Sequence, residues 1–229
     1  NLARLRDAGA QIFVGHDAGN VPDGAVVVIS TAITGKNPEL AIANSRGQRV
    51  IHRSEALAIA AESKDFVAVA GAHGKTTTSG MLAVAFHELG RDPSRAIGGN
   101  LAGGASGGHL GSGSMFIAEA DESDGSFLNY APRVALVTNI EPDHLDHYGS
   151  EAAFHEAFDE FARRIEFGGL LICCADSPGA FELAKRSRDA GIRTWTYGHG
   201  EGLEHHAKVR DVDGGADLQF RGKPIDLRL

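Results

Sequence analysis

The chain has 229 residues, 42% of them hydrophobic, enough to bury a substantial core in one or two domains. Acidic residues outnumber basic ones 30 to 22, net charge is −8, and no Lys/Arg cluster could track a phosphodiester backbone, which excludes nucleic acid as a partner. Apolar runs such as "AVVVIS" and "FVAVAGA" fall far short of the roughly 18 residues a membrane helix needs, and no basic segment leads an apolar one at the N-terminus. The expectation is a soluble, non-secreted, cytoplasmic protein without membrane insertion.

In chain order, "NLARLRDAGAQIFVGH" predicts an amphipathic helix running into a short strand. It has no initiator Met and no preceding strand, which predicts a chain cut at this end. "GAVVVIS" follows as a strand, then "NPELAIANSRG" as a helix with Asn37 as cap and Pro38 at its first position. "QRVIH" is a strand and "RSEALAIAAES" a helix. A second series opens near Asp65: strand "DFVAVA", a loop, helix "KTTTSGMLAVAFHELG", and strands "SMFIAEA" and "RVALVTN". Helix "EAAFHEAFDEFARRI", strand "GLLICC", helix "GAFELAKRSRDAG" and strand "RTWTYG" continue it. Such alternation predicts an α/β fold with a mostly parallel sheet, right-handed crossovers and cover on both faces. After Gly200, "HHAKVRD", "ADLQFRG" and "PIDLRL" predict a small antiparallel extension. The chain stops on that apolar strand with no closing helix, which predicts a second cut. A domain boundary is expected at residues 61–63, giving domains 1–62 and 63–229.

Two local compositions need separate readings. "GGNLAGGASGGHLGSGS" (98–114) holds eight glycines in seventeen positions and cannot pack a core of its own. A flexible linker is one reading; a functional loop is favoured, because the segment lies inside one domain between regular elements. The only cysteines, Cys173 and Cys174, are adjacent, so they form no disulfide framework and are expected on opposite faces of a buried strand.

The chemistry gathers at three strand ends. The first is Gly71-Ala72-His73-Gly74-Lys75-Thr76-Thr77, between a buried strand and a helix, where backbone N–H groups and the helix dipole favour an anion. The full phosphate-loop pattern wants a glycine at Val69, so this loop makes a shorter arc that begins at Gly71. Lys75 is the candidate for the outer phosphates and Thr76 offers a hydroxyl to Mg2+. The second end, "EADESDGSF", sets Glu119, Asp121, Glu122 and Asp124 within six positions. Mg2+ takes one or two carboxylates with phosphate and water, and Glu119, nearest the strand, is the preferred ligand; the others are expected to bind substrate or cap a turn. The third, "NIEPDHLDHYG", offers Asn139, Glu141, Asp143, His144, Asp146 and His147, with Pro142 fixing the turn. Zinc is disfavoured because no cysteine or third histidine stands at structural-site spacing, and His147 is read as a surface histidine.

Together, "GAHGKTTT", "EADESDGSF" and "TNIEPDHLDHYG" resemble the central ATPase domain of the Mur ligases, and "VVVISTAITGKNPEL" resembles the end of their UDP-sugar-binding, Rossmann-like N-terminal domain. Ala72 stands where the family typically has Thr. The resemblance implies an enzyme using ATP and Mg2+, closest to the branch that joins L-alanine to UDP-N-acetylmuramate. The muramate carboxylate would take the γ-phosphoryl group as an acyl phosphate, and the amine would then displace phosphate. It further implies Lys75 as phosphate ligand, Thr76 and Glu119 on the nucleotide Mg2+, His144 on a second Mg2+, and Asn139 and His73 holding substrate or nucleotide. Some relatives carry a carbamylated lysine in the helix after the histidine motif; "EAAFHEAFDEFARR" has no lysine. Without the segments that the family adds at each end, residues 1–229 alone are expected to bind nucleotide poorly and ligate nothing. A muramyl-peptide-recycling or folylpolyglutamate-type ligase and a nucleotide-binding module without ligase chemistry are the alternatives.

Overall fold

The computed structural model describes residues 2–101, 104–200, 203, 205–212, 215–220 and 223–228. It divides into two compact units, residues 1–59 and 60–229.

The first unit holds α1 (Leu2–Asp7), a 3-10 turn at Ala18–Asn20, β1 (Val27–Ile29), α2 (Pro38–Ser45) and β2 (Val50–His52); α3 (Arg53–Ala61) leads out of it. β1 and β2 pair in parallel, Val28 opposite Ile51. α2 starts where the sequence places it: the Asn37 side chain accepts from the Glu39 and Leu40 amides, and Pro38 occupies the first turn, where its missing N–H costs nothing. The strand expected after α1 does not form. Residues 11–16 belong to no ladder, and Phe13 and Val14 are exposed. An apolar run becomes a strand only where a neighbour takes up its backbone groups, and among the described residues β1 has β2 alone beside it.

The second unit is a ten-stranded sheet. Its elements are β3 (Asp65–Ala70), α4 (Lys75–Glu88), β4 (Ser94–Ala96), β5 (Gly108–His109), β6 (Met115–Glu119), β7 (Val134–Val137), α5 (Leu145–Tyr148), α6 (Glu151–Arg163), β8 (Leu170–Cys174), α7 (Pro178–Asp189), β9 (Thr194–Gly198), β10 (His205–Val212), β11 (Gly215–Phe220) and β12 (Lys223–Arg228). The order is β12-β11-β10-β9-β8-β7-β3-β6-β4-β5. From β4 to β10 every neighbouring pair is parallel, while β5 and the β10-β11-β12 meander are antiparallel. β3 is central, and five of its six residues are buried.

Each flank of the sheet has its own packing. Val67, Ile117 and Ile97 join Ala83 of α4 in one cluster. α6 carries Phe154, Ala157, Phe158, Phe161 and Ala162 as an apolar stripe at helical spacing, and its start is capped by Ser150 Oγ accepting from Ala153 N. Phe127 stacks on Phe161 at 4.9 Å and meets Phe158 edge-on at 5.3 Å. The two cysteines face opposite ways, Cys173 fully buried and Cys174 half-buried. Burial pushes the Cys173 thiol up to about 12, so iodoacetamide at pH 8 is expected to spare it; its carbamidomethylation in native protein, read by peptide mass mapping, would refute this burial.

Residues 104–114 of the glycine-rich segment fold against the stretch before it, and β4, before the segment, and β5, within it, are elements that the sequence did not reveal. The segment folds back along residues 91–99, backbone against backbone. A Cβ on Gly107 would sit 2.1 Å from the Ile97 carbonyl oxygen, one on Gly111 2.1 Å from that of Asp92, and one on Gly113 1.9 Å from that of Arg91. Glycine here provides close approach rather than flexibility. The far end is clamped by Asp92, whose carboxylate accepts from Ser112 N and Oγ, both at 2.8 Å, and pairs with His109 Nε2 at 2.9 Å. The Ser112 amide, then the His109 side chain, hold the Asp92 carboxyl far below the usual carboxylate range. A depressed folded value means that this support is complete above the unfolded-state value of about 3.9 and is lost only as pH falls well below it. Amide exchange at Ser112, corrected for intrinsic rate, is therefore expected to show no clamp opening between pH 7 and pH 5; opening within that window would contradict the geometry.

Candidate active site

β3 delivers the chain into the loop 71–74, and α4 begins at Lys75 after Gly74, which lies in the left-handed region at φ 81°. No side chain caps α4. Its first N–H groups and the positive end of its dipole are thus directed at whatever occupies the loop. The loop is braced from β7. Thr138 Oγ1 donates to the His73 carbonyl (2.7 Å), Asn139 Nδ2 donates to the same oxygen (2.8 Å), and Asn139 Oδ1 accepts from the His73 amide (3.0 Å). The His73 ring is exposed, 3.9 Å from Glu141. Thr138 was not singled out in the sequence, although it stands at the strand end in "LVTN".

Lys75 Nζ is fully engaged: it donates to both Glu122 oxygens at 2.9 Å and to the Gly71 carbonyl at 2.7 Å. Glu122 is 1% exposed, so this is a buried pair inside the loop mouth. Of the four clustered carboxylates, Glu122, one of the three expected to bind substrate or cap a turn, is the one that meets the lysine. Asp121 and Asp124 turn the chain, accepting from the Ser123 and Ser126 amides. Glu119, the last residue of β6, accepts from the Gly98 amide at 2.7 Å. A Cβ on Gly99 would come within 3.0 Å of Thr76 Cγ2, and one on Gly98 within 3.5 Å of Glu119 Oε1. Thr76 and Glu119 therefore border the same pair of glycines, Thr76 through its methyl group and Glu119 through its carboxylate. Thr77 and Ala72 complete the loop and first turn, Thr77 exposed.

His144 has a strained, left-handed backbone at φ 51° and caps α5; its ring faces Asp143 at 3.7 Å. The structure does not bring it into contact with Lys75 or Glu119. Four residues on, Tyr148 makes a link that the sequence reading missed. Its half-buried hydroxyl donates to the Glu122 carbonyl, and its ring lies edge-on to Phe154 and His147. Burial, then the charges of Glu122, Asp124 and Asp121, push the phenol up to about 12, so it stays a neutral donor. The chain of contacts runs from the histidine motif through Tyr148 to Glu122 and on to Lys75. Tyr148→Phe removes one hydrogen bond and little packing, about 1 kcal/mol. The expected result is roughly fivefold faster amide exchange at Gly125 and Phe127, whose amides close this turn; unchanged exchange would show that the hydroxyl does not hold it.

Among the described residues no group of three or more His, Cys, Asp or Glu could hold a metal ion. Thr76 and Glu119 still suit a hard cation whose shell is completed by phosphate oxygens and water, as Mg2+ prefers. The uncapped helix, Lys75 and the glycine-lined arc suit a polyphosphate.

A braced phosphate loop at the carboxyl edge of a mostly parallel sheet defines an α/β domain of the phosphate-loop class. Sequence comparison is more specific: the Mur ligase middle domain matches residues 112–229, just over half of the chain, and the Mur ligase family catalytic domain matches residues 1–65. The chain belongs to the Mur ligase family. It is 52% identical over 235 aligned positions to the UDP-N-acetylmuramate--L-alanine ligase of Kineococcus radiotolerans, covering 100% of this chain and 50% of that protein. The UDP-N-acetylmuramate-alanine ligase of Thermotoga maritima superposes with a TM-score of 0.77 at 28% identity, over 97% of this chain and 50% of that one. The UDP-N-acetylmuramate:L-alanyl-gamma-D-glutamyl-meso-diaminopimelate ligase of Neisseria meningitides gives 0.80 at 24% identity, over 97% and 73%, a likeness of fold. The chain thus spans about half the length of the alanine ligases it matches. No helix among the described residues is long and apolar enough to cross a membrane.

Proposed function

We propose that this chain is the nucleotide-binding part of an ATP-dependent ligase that joins L-alanine to the muramate carboxylate of UDP-N-acetylmuramate, in the cytoplasm, during peptidoglycan precursor synthesis. The observation that carries the proposal is the loop Gly71–Lys75, braced by Thr138 and Asn139 and faced by Glu119 and Glu122, in a chain about half identical to alanine ligases. In this reading residues 1–62 complete the UDP-sugar-binding domain and 63–229 bind ATP.

The roles follow from the donors. Gly71, Ala72, His73 and Gly74 shape the arc, and the amides of Lys75, Thr76 and Thr77 with the α4 dipole hold the phosphates. Lys75 exchanges its contacts with Glu122 for the outer phosphates. Thr76 and Glu119 hold Mg2+, whose charge offsets that of the phosphates. Asn139 fixes the loop through His73, and His144 is assigned to a second Mg2+ nearer the carboxylate. The carboxylate forms a bond to the γ-phosphorus as the P–O bond to ADP breaks; the alanine amine then attacks the acyl carbon and phosphate leaves. Holding two anions together in a protein of net charge −8 requires this local concentration of positive charge.

The test is phosphate release by the full-length protein, with each substrate omitted in turn. Release that requires both UDP-N-acetylmuramate and L-alanine supports the reading. Turnover with the tripeptide L-alanyl-γ-D-glutamyl-meso-diaminopimelate but not L-alanine, or ATP hydrolysis with neither substrate, would overturn it.

A further inference from the structure

A cavity of the second unit lies at the edge of the sheet opposite the phosphate loop. About 600 Å³ in volume, it is lined by Val67, Phe86, Met115 and Val134, with Arg91, Arg133 and Asp65 among its polar residues. That volume falls within the usual range of small-molecule sites. Its walls are set by close contacts: Gly113 docks on the Arg91 carbonyl, its amide donates to the Asp92 carbonyl, and its own carbonyl accepts from Lys64 Nζ at 2.6 Å. Arg133 N is tied to the Phe66 carbonyl and Asp65 N to that of Ser114. All but the Lys64 bond are main-chain contacts within and beside the sheet, so the cavity is preformed.

Its charge is unlike that of the protein. Arg133 is balanced by Asp65 at 3.3 Å, whereas Arg91 has no carboxylate partner among the described residues. A protein of net charge −8 thus places one unbalanced cationic residue, Arg91, at a cavity whose lining includes Val67, Phe86, Met115 and Val134. A free guanidinium suits a carboxylate through paired N–H donors, and a floor of Val, Phe and Met suits a flat apolar body. Val67, the residue of β3 that lines the cavity nearest the loop, stands four residues or about 13 Å before Gly71, so the cavity and the loop lie towards opposite ends of the strand.

We propose that this cavity is a second binding site, separate from the phosphate loop, for a small organic anion with an apolar body, of the aryl carboxylate class. The carboxylate pairs with Arg91 and the ring lies on Val67, Met115 and Val134. The proposal does not depend on the nucleotide chemistry at the other edge.

The probe is 2-naphthoate, titrated into the 15N-labelled chain and followed by amide shifts, with neutral 2-naphthamide in parallel. Saturable shifts at Val67, Ser114, Met115 and Val134 are expected, unaltered by ATP. The amide probe is expected to bind about tenfold more weakly, and Arg91→Glu to weaken naphthoate binding by at least about tenfold. Arg91 is exposed, so this variant is expected to fold, and unchanged spectra elsewhere will verify it. Shifts centred on Gly71–Lys75, equal affinity for the amide, affinity unaltered by Arg91→Glu, or no saturable shift would each overturn the proposal.

Discussion

On the proposed ligase role, Lys75→Met in the full-length protein is expected to reduce turnover by about a hundredfold to a thousandfold and to destabilise the fold as well. The first effect follows from removing the Lys75 cation at the mouth of the loop, where the charge on the outer phosphates must be met. The second follows from Glu122, 1% exposed, which would lose its partner inside the protein. Breaking a buried pair from one side costs about 3–5 kcal/mol, more than the pair itself contributes, because the remaining charge is stranded. The double variant Lys75→Met/Glu122→Gln separates the two effects. It is expected to regain most of the lost stability in urea denaturation and none of the turnover. A single variant as stable as the parent would mean that Glu122 and Lys75 are not a buried pair in solution.

Gly71→Ala is expected to be as damaging, for a different reason. At φ 131° a side chain is strained, and its Cβ would lie 2.2 Å from Thr138 Oγ1 and 2.8 Å from the Asn139 carbonyl oxygen. Strain of about 1–3 kcal/mol adds to the loss of the Thr138 and Asn139 bonds that brace the loop. On the proposed nucleotide-binding role, the expected outcome in the full-length protein is a fall in ATP affinity of at least about a hundredfold by calorimetry. Adding Thr138→Ala removes the worse contact but not the Asn139 carbonyl, so it is expected to restore only part of the loss. Gly74→Ala is the control. Its φ of 81° carries strain, but its nearest neighbour is 3.9 Å away, and about a tenfold loss is expected. Equal damage at the two positions would mean that backbone conformation, not the approach of β7, sets the requirement for glycine.

How far the sequence predicts the structure depends on whether the cause is local. β3, the loop and α4 are legible because a buried apolar run, glycines and a helix start follow each other directly. α2 is legible because Asn37 and Pro38 are its start signals. The meander after Gly200 is legible from its alternation and turn residues. β4 and β5 are not, since "SRA" and "GH" carry no apolar period, and their ladder exists because glycines let two backbones meet. The missing strand at 11–16 is the converse, a suitable local pattern without a neighbour. In the site, the strand ends announce themselves, but which carboxylate turns inward does not. Glu119 is nearest its strand, yet the turns capped by Asp121 and Asp124 carry Glu122 to the lysine. Tyr148 could have been noticed as an aromatic beside the histidines in "DHYG"; its partner, a backbone carbonyl 26 positions earlier, could not.

The return of residues 107–113 along 91–99 also sets how this stretch can vary. Surface loops rich in glycine ordinarily accept insertions and deletions, because nothing inside them is counted. Here Gly107, Gly111 and Gly113 are spaced to face the carbonyls of Ile97, Asp92 and Arg91. Removing one residue between Gly107 and Gly113 would carry side chains such as Ser112 or Ser114 into those gaps and draw the Gly98 amide off Glu119. Its length is therefore as tightly fixed as that of a core strand, and viable natural variants should differ here by substitution at the outward positions, such as Leu110, rather than by length.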